Sequence, residues 1–275
     1  MINTSIKILL FFLIAPISLL GQNNCQIIDE DGRGIPYVNV YLPSESSGVL
    51  SDENGHFTFP DGGLSDATEV VFSCLNFKVL TTTVAAGKSS ATSCSFALEQ
   101  ENYELAAIEV TASTPEYSSK WLGVPAPRFY SRRGYNLGGS GSERAVLIEN
   151  KKKGRLDRIS VFVSNVTVDS FNVEVNIYDF KDGVAGGKLQ KERIFVTIAE
   201  SDNNEAYEIL VKDLNLYVTG SFLVSVTMLN VLDGGVAMLE SVVKKKHEGF
   251  EHRMDGRWVI ASDAPCISAL VSYPK

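Results

Sequence analysis

The three histidines of the chain are the residues from which a metal site or an acid–base pair would be built. A zinc hydrolase needs the spacing HxxE or HExxH, in which imidazoles and a carboxylate hold the metal and leave one position open for water. The histidines are His56, His247 and His252. The residues three positions after them are Phe59, Phe250 and Asp255. Neither motif is therefore present.

The segment from His247 to Asp255, HEGFEHRMD, holds the densest group of potential ligands. Five positions separate its two histidines, which places them on opposite faces of a strand and about 140° apart on a helix. Neither element presents both imidazoles to one ion. We therefore expect a surface hairpin that turns near Asp255 and Gly256 rather than a metal site.

Nucleophile and phosphate motifs are also missing. The segment GGSGSE around Ser140 is only superficially similar to the GxSxG nucleophile elbow, which needs a strand before it, a helix after it and a parallel sheet beneath. No GxxxxGK[ST] loop occurs, and no GxGxxG opens a helix. The sequence therefore predicts no catalytic residue, no cofactor and no metal.

Two lysine runs stand beside predicted strand ends, Lys151 to Lys153 and Lys244 to Lys246. They are interpreted as solvated turns, with steering of an acidic partner as the alternative. The formal net charge of the whole chain is −8. Nucleic acid and anionic membrane surfaces are therefore not expected as partners.

Aromatic and arginine side chains in residues 114–142 are the first candidates for partner contact. This segment is rich in Pro, Gly and Ser and is predicted to be a linker. Aromatic faces and guanidinium groups suit both sugar stacking and peptide docking. In the alternative interpretation they only pin the segment onto a neighbouring sandwich. The predicted contact residues are Trp121, Phe129, Tyr130 and Arg132, followed by Tyr37 and Tyr41 on the polar side of their strand.

Residues 1–21 have the pattern of a secretory signal peptide. Lys7 precedes an apolar run that is broken by Pro16, and the small residue Gly21 stands at the expected cleavage point. The run is shorter than the about 20 apolar residues that span a bilayer. Export exposes Cys25, Cys74, Cys94 and Cys266 to oxidising conditions, so one disulfide among them is plausible. Two alternatives stay open for the first three cysteines: a bridge between any two of them, or small buried thiols throughout. No later segment is predicted to cross a membrane.

Alternation of apolar and polar residues predicts an all-β chain. In FNVEVNIYDF, residues 171–180, alternate side chains are apolar, and YVNVYL, residues 37–42, follows the same period of two. Strand-like segments recur from Arg144 onward at about ten-residue spacing, which predicts two packed antiparallel sheets. The acidic-glycine segments DEDGRG and SDENGHF are interpreted as turns between strands. They lack the flanking helices of a helix-loop-helix calcium site.

Residues 25–113 resemble the carboxypeptidase regulatory-like domain. The resemblance rests on an acidic-glycine turn, IPYVNVYL, SDENGHF and VVFSCLNFKVLTTTV, although Asn76 and Phe77 replace the usual Gly-Tyr pair. It implies a transthyretin-like β-sandwich of the kind found in exported bacterial proteins and ahead of TonB-dependent transporters. The segment Glu104 to Ser113 is similar to the acidic stretch that follows this domain in transporters, where it docks an energising protein; the alternative is a last strand and linker.

The expected architecture is a transthyretin-like β-sandwich followed by a larger antiparallel, jelly-roll-like β-sandwich. The expected boundaries are a signal peptide at 1–21, the first domain at 22–113, a linker at 114–142 and the second domain at 143–275. The second half is only vaguely similar to exported jelly-roll modules.

The expected function is non-catalytic binding in the envelope of a Gram-negative bacterium, in the periplasm or at the outer membrane or cell surface. The partner would be an envelope protein, such as TonB-dependent uptake machinery, or a glycan. The alternatives are a hydrolase of envelope or imported polymers and a purely structural linking module.

Overall fold

The computed structural model of the chain describes residues 24–59, 64, 67–85, 93–101, 116–126, 133–136, 141–202, 204–230, 232, 234–243, 246–253 and 256–275. Regular structure in this part of the chain consists of β-strands and two short 3₁₀ turns, Glu200–Asp202 and Lys212–Leu214. The predicted all-β class is therefore confirmed. The predicted signal peptide lies outside the described residues.

The first sandwich consists of seven strands in two sheets. Strands β4, β1 and β7 form a three-stranded sheet, and β3, β2, β5 and β6 form a four-stranded one. Their bounds are β1 Asn24–Ile28, β2 Asn39–Leu42, β3 Ser47–Leu50, β4 His56–Phe57, β5 Thr68–Ser73, β6 Leu80–Val84 and β7 Ser93–Ala97. Alternate residues point between the sheets, so Val40, Leu42, Val70 and Phe72 are buried in one core.

The acidic-glycine segments are turns, as predicted. The Asp29 carboxylate accepts backbone N–H bonds from Asp31 and Arg33 at 3.0 and 2.8 Å. The Asp52 carboxylate accepts bonds from the N–H groups of Asn54 and His56, both at 2.8 Å. These carboxylates stabilise local turns through their own backbone.

One strand prediction in this domain is wrong at its start. β2 begins at Asn39, whereas Tyr37 lies in a turn with a φ of 54°. The chain cannot enter the ladder earlier because Pro36 has no N–H to donate and the Val38 N–H is bonded to the Ser51 hydroxyl at 2.8 Å. Tyr37 therefore does not share a strand face with Tyr41.

A disulfide joins Cys25 and Cys94, two of the three cysteines among which the sequence left the pairing open. β1 and β7 pair in parallel with these residues opposite each other, and their Cα atoms are 4.5 Å apart. Cys74 and Cys266 are not part of this disulfide. Burial raises the pKa of the Cys74 thiol above its ordinary value, so the thiol stays protonated.

The second sandwich packs a seven-stranded sheet on an eight-stranded one. The first sheet runs β13-β12-β17-β10-β19-β20, with β14 also on β12. The second runs β21-β18-β11-β22-β8, with β15 and β16 on β11 and β9 on β18. The bounds are β8 Tyr117–Gly123, β9 Arg133–Asn136, β10 Glu143–Ile148, β11 Gly154–Ser164, β12 Ser170–Lys181, β13 Val184–Lys188, β14 Ile194–Ala199, β15 Ala206–Leu210, β16 Tyr217–Val218, β17 Phe222–Met228, β18 Met238–Val243, β19 Gly249–His252, β20 Trp258–Ile260, β21 Asp263–Pro265 and β22 Ile267–Pro274.

The core of this sandwich follows the predicted alternation. Phe171, Val173, Val175 and Ile177 of β12 all point into it and are buried. The pairs between the named strands of this unit are antiparallel, as expected for a sandwich built from hairpins and longer returns. β17 is buried at every position, so both faces of the seven-stranded sheet are covered at its centre.

The predicted irregular linker is in part regular structure. Tyr117–Gly123 is the edge strand β8, which pairs with β22, and Arg133–Asn136 is the strand β9, which pairs with β18. The sequence did not show β8 because most of its residues are exposed. An edge strand whose outer face meets solvent needs few apolar residues.

One arginine of the second sandwich binds the backbone of the first. The Arg193 guanidinium donates to the Pro36 carbonyl at 2.5 Å and to the Tyr37 carbonyl at 3.1 Å. It also donates to the Glu174 carboxylate at 2.8 and 3.1 Å. The side chains of Arg193 and Glu174 are only 12% and 7% exposed. We call this group the Arg193 clasp. It is a buried ion pair of the second sandwich whose arginine also binds two backbone carbonyls of the first.

The disulfide predicts a labelling pattern. Alkylation of unfolded, unreduced protein is expected to modify Cys74 and Cys266 and to leave Cys25 and Cys94 unmodified, and mass spectrometry of the peptides measures this. Modification of all four cysteines without reductant would contradict the pairing. Replacing Cys25 and Cys94 together by alanine is expected to lower the free energy of unfolding by about 2–4 kcal/mol.

The Arg193 clasp predicts a large loss of stability from one substitution. Arg193→Met keeps the length of the side chain but leaves the Glu174 carboxylate buried without its cation, which costs about 3–5 kcal/mol in urea unfolding. Arg158→Met is the matched control, because Arg158 binds Glu208 at the surface, where both side chains are about half exposed. Its expected cost is about 0–1 kcal/mol. Equal costs for the two variants would contradict a buried clasp.

Candidate functional site

An open cleft of about 1120 Å³ lies at one edge of the second sandwich. β8 forms one wall, and the turns before β11 and before β19 form the others. Loops at a sandwich edge are the part of this fold that is free to carry function, because the strands are committed to the core. The cleft collects five lysines from four separate parts of the chain: Lys120, Lys151, Lys152, Lys246 and Lys275.

A buried asparagine sets the shape of the lysine turn. The Asn150 amide donates to the Lys152 carbonyl at 2.6 Å, and its carbonyl oxygen accepts from the Lys152 N–H at 3.4 Å and from the Tyr273 hydroxyl at 2.9 Å. Asn150 is 6% exposed, whereas Lys151 and Lys152 are exposed. The turn is therefore anchored from inside while its ammonium groups face solvent.

The charge of the cleft is opposite to that of the chain. Five lysines face two glutamates, Glu149 and Glu248, along its walls, although the formal net charge of the chain is −8. Lys275 binds Glu116 at 3.0 Å, and Lys246 extends the positive rim. The potential of such a cluster attracts anions. The two lysine runs, interpreted separately as solvated turns, each contribute to this one cleft.

Trp121 is the most exposed aromatic residue of the cleft, which Tyr273 also lines. It lies on β8 opposite Leu270 of β22, and it is 41% exposed. Since β8 is an edge strand, the indole lies where the cleft meets the outer face of the eight-stranded sheet. A half-exposed indole beside ammonium groups suits a ligand with both an apolar face and negative charge.

The other predicted contact residues lie elsewhere. Phe129, Tyr130 and Arg132 are outside the described residues. Tyr37 lines a second cleft of about 640 Å³ between the two domains, where its ring lies 5.5 Å from that of Phe195. Tyr41 is half-buried in β2 of the first sandwich. The structure therefore does not bring the tyrosines together with Trp121.

A buried carboxylate network on the outer face of the seven-stranded sheet was missed in the sequence. The Glu143 carboxylate accepts bonds from Ser225 at 2.5 Å, Tyr178 at 3.0 Å and Asn176 at 3.3 Å, and it contacts His252 Nδ1 at 3.0 Å. Burial opposes ionisation, but the hydrogen bond with His252 and the others hold the pKa of Glu143 below its ordinary value. The four partners lie on three other strands, so no motif of neighbouring residues in the sequence predicts that they meet Glu143.

His252 has a structural position in this network. Its imidazole lies 4.6 Å from the Trp258 ring across the β19–β20 pair, which is the predicted hairpin. In a catalytic pair the carboxylate and the base would share a cleft with the substrate. Glu143 instead is 6% exposed and fully engaged by donors. Within the described residues, no group of three or more His, Cys, Asp or Glu is arranged to hold a metal ion.

Comparison with known proteins identifies the first domain. Residues 25–110 match the model of the CarboxypepD_reg-like domain, which confirms the resemblance seen in the sequence. The first sandwich is thus a CarboxypepD_reg-like domain with a transthyretin-like β-sandwich fold. Within the described part of the chain, no helix combines the length and hydropathy needed to cross a membrane.

Similarity to solved structures is low. One match is the structure of the cysteine protease and lectin-like domains of Cwp84, a surface layer associated protein of Clostridium difficile, at 12% identity and a TM-score of 0.35. It covers 51% of this chain, which spans only 36% of that one. Another is BcpA*(D312A), the major pilin subunit of Bacillus cereus, at 9% identity and a TM-score of 0.14, covering 91% and 68% of the two chains. No curated protein matches the chain.

The buried carboxylate predicts a pH-dependent stability. Because folding lowers the pKa of Glu143, its ionised form contributes stability above the ordinary value of 4.5, and this contribution is lost as the pH falls towards the lower folded pKa. Glu143→Gln is therefore expected to be less stable than the wild type near neutral pH, with a difference that shrinks below about pH 4.5. Urea unfolding across this range measures it.

The exposed neighbour Glu149 provides the control. Glu149→Gln makes the same change in net charge at an exposed position directly after β10. A stability difference for Glu143→Gln that is constant with pH, or one matched by Glu149→Gln, would show that the buried carboxylate is not held ionised by its partners.

Proposed function

We propose that this protein is an exported, non-catalytic binding protein that holds an acidic glycan in the lysine cleft. The observation that carries the proposal is the convergence of five lysines and one half-exposed indole in a single open cleft of an otherwise acidic chain. The hydrophobic cores of both sandwiches are built from other residues, so core packing does not explain why the five lysines and Trp121 lie together.

The chemistry of the cleft favours a glycan over other anions. Ammonium groups on flexible stems bind carboxylates and phosphates alike as point charges, so the lysines select for negative charge and the aromatic face beside them selects for the sugar. Trp121 supplies the apolar face on which a sugar ring stacks. Asn150 and Tyr273 line the same wall, and the hydrogen bond between them fixes the shape of the lysine turn. The volume of about 1120 Å³ accommodates several sugar rings.

Export is part of the proposal. The pattern of residues 1–21 and the Cys25–Cys94 disulfide both fit an extracytoplasmic protein, because disulfides persist in oxidising compartments. The envelope of a Gram-negative bacterium, in the periplasm or at the cell surface, is the place where an acidic polysaccharide is available to such a protein. The Arg193 clasp then serves to fix the accessory domain to the binding domain.

Binding of an acidic polysaccharide tests the proposal. We expect the intact protein to bind polygalacturonate and alginate, measured by calorimetry or by Trp fluorescence, and not to bind neutral dextran. Poly-glutamate separates sugar recognition from simple attraction between charges. At equal charge it is expected to bind more weakly than polygalacturonate, and its binding is expected to disappear at moderate salt. Tighter binding of poly-glutamate than of every acidic glycan would favour an acidic peptide and overturn the glycan assignment.

Substitutions locate the binding site. The double variant Lys151→Ala, Lys152→Ala is expected to weaken polygalacturonate binding by roughly 5- to 20-fold, and Trp121→Ala by about 10-fold. Lys181→Ala with Lys191→Ala is the matched control, because both lysines are exposed and lie outside the cleft. Equal losses for the two double variants would show that only net charge matters.

A further inference from the structure

The outer face of the eight-stranded sheet carries an unusual set of exposed side chains. Among the described residues, three of the eight large hydrophobic side chains that are most exposed lie on this one face: Trp121, Leu210 and Tyr217. They are 41%, 64% and 41% exposed. Scattered single exposures need no explanation, but several on one sheet face form a surface.

Register places these side chains in adjacent rows. Opposite residues of neighbouring strands point to the same face of a sheet. One row reads Tyr217, Arg155, Ser272 and Ser119 across four strands. The next row reads Leu210, Arg158, Leu270 and Trp121. Tyr117 lies at the end of β8 on the same face as Ser119 and Trp121.

The first row is held rigid by a local network. The Asp157 carboxylate accepts bonds from Arg155 at 2.7 Å and from the Ser272 hydroxyl at 2.5 Å, and the Ser272 and Ser119 hydroxyls are 2.7 Å apart. The register shift between Leu156 and Arg158 marks a bulge that brings Asp157 to this position. Positioned hydroxyls and charges of this kind form directional bonds to a ligand without further ordering.

Aromatic rings and cations flank this network. The Arg155 guanidinium lies 4.6 Å from the centre of the Tyr117 ring, and the Lys153 ammonium lies 5.4 Å from that of Tyr217. Burial and the neighbouring Tyr117 side chain raise the pKa of Tyr217 above its ordinary value. The face therefore has an aromatic and cationic group at one end and Trp121 at the other, with hydroxyl groups between them.

Trp121 belongs to both surfaces. It lines the lysine cleft and also ends the row that contains Leu210. Trp121 lies four positions after Tyr117 along the extended strand β8, which places the two residues about 13 Å apart. A ligand in the cleft that continues past the indole therefore lies directly on the outer face of the sheet.

We propose that this face is an extension of the cleft, which we call the sheet track, and that the protein binds an internal stretch of a long acidic polysaccharide rather than a single sugar or a chain end. This inference rests on the proposed function. Sugars in the cleft place carboxylates among the lysines, and sugars on the sheet track contact Tyr117, Tyr217 and the exposed Ser119 hydroxyl, which the buried Ser272 holds in place.

Charge complementarity selects this occupant. Arg155 and Arg158 are each neutralised by a neighbouring carboxylate, so the middle of the sheet track attracts hydroxyl-rich sugar rings, while Lys153 extends the positive charge of the cleft along one margin. A polysaccharide with dispersed carboxylates matches both parts. A second copy of the chain on this face is the competing occupant and is an outcome of the test.

A length series of oligogalacturonates tests the sheet track on the full chain. The affinity of the wild type is expected to rise by about tenfold from the disaccharide to the octasaccharide, because only the longer ligand reaches both surfaces. Tyr217→Ala is expected to remove most of this rise and to leave disaccharide binding unchanged. Tyr217→Phe keeps the ring and is expected to keep most of the rise. Ile260→Ala is the control for loss of apolar surface, because Ile260 lies on the other sheet and is also exposed.

The outcomes separate this inference from the proposed function. Binding of the disaccharide with no gain from length would overturn the sheet track and leave the cleft assignment intact. Absence of binding at every length, with polygalacturonate also unbound, would overturn both. A dimer in light scattering that Tyr217→Ala dissociates would assign the face to a second copy of this chain and overturn the sheet track.

Discussion

The Arg193 clasp is the interaction on which the arrangement of the two domains depends. A guanidinium can be buried only if its charge and its N–H groups are engaged. Here the Glu174 carboxylate of one domain engages them together with two backbone carbonyls and the Cys74 sulfur of the other. Although burial lowers the pKa of Arg193, its hydrogen bonds with Glu174 raise it above the ordinary value. Tyr37, whose carbonyl is one of the two bound by the arginine, has a positive φ of 54°.

The clasp also decides which surfaces remain available to a ligand. Glu174 projects from the outer face of the seven-stranded sheet, and the first domain covers that face there, while the Glu143 network fills its centre. The sheet on the opposite side has no such cover among the described residues. Its edge strand β8 and the lysine turn beside it can therefore carry a binding site without disturbing either core.

The sequence predicted those features that depend on neighbouring residues. Period-two burial along β12, the Asp29 and Asp52 turns and the β19–β20 hairpin each follow from a few adjacent side chains. Features that depend on register between distant strands were not visible. β8 is polar because it lies at an edge, and the meeting of Lys120, Lys151 and Lys246 needs three segments to be placed before it can be seen. Trp121 was predicted as a contact residue because an indole in a polar segment stands out in the sequence itself.

Protection of individual lysines by a bound polysaccharide tests the central claim most directly. The folded protein is acetylated briefly with and without polygalacturonate, and mass spectrometry reports the modification of each lysine. Reduced acetylation of Lys120, Lys151, Lys152 and Lys246, with Lys181 and Lys191 unchanged, is the result expected for a ligand in the lysine cleft. Uniform acetylation with and without polysaccharide, or protection confined to lysines outside the cleft, would contradict the account.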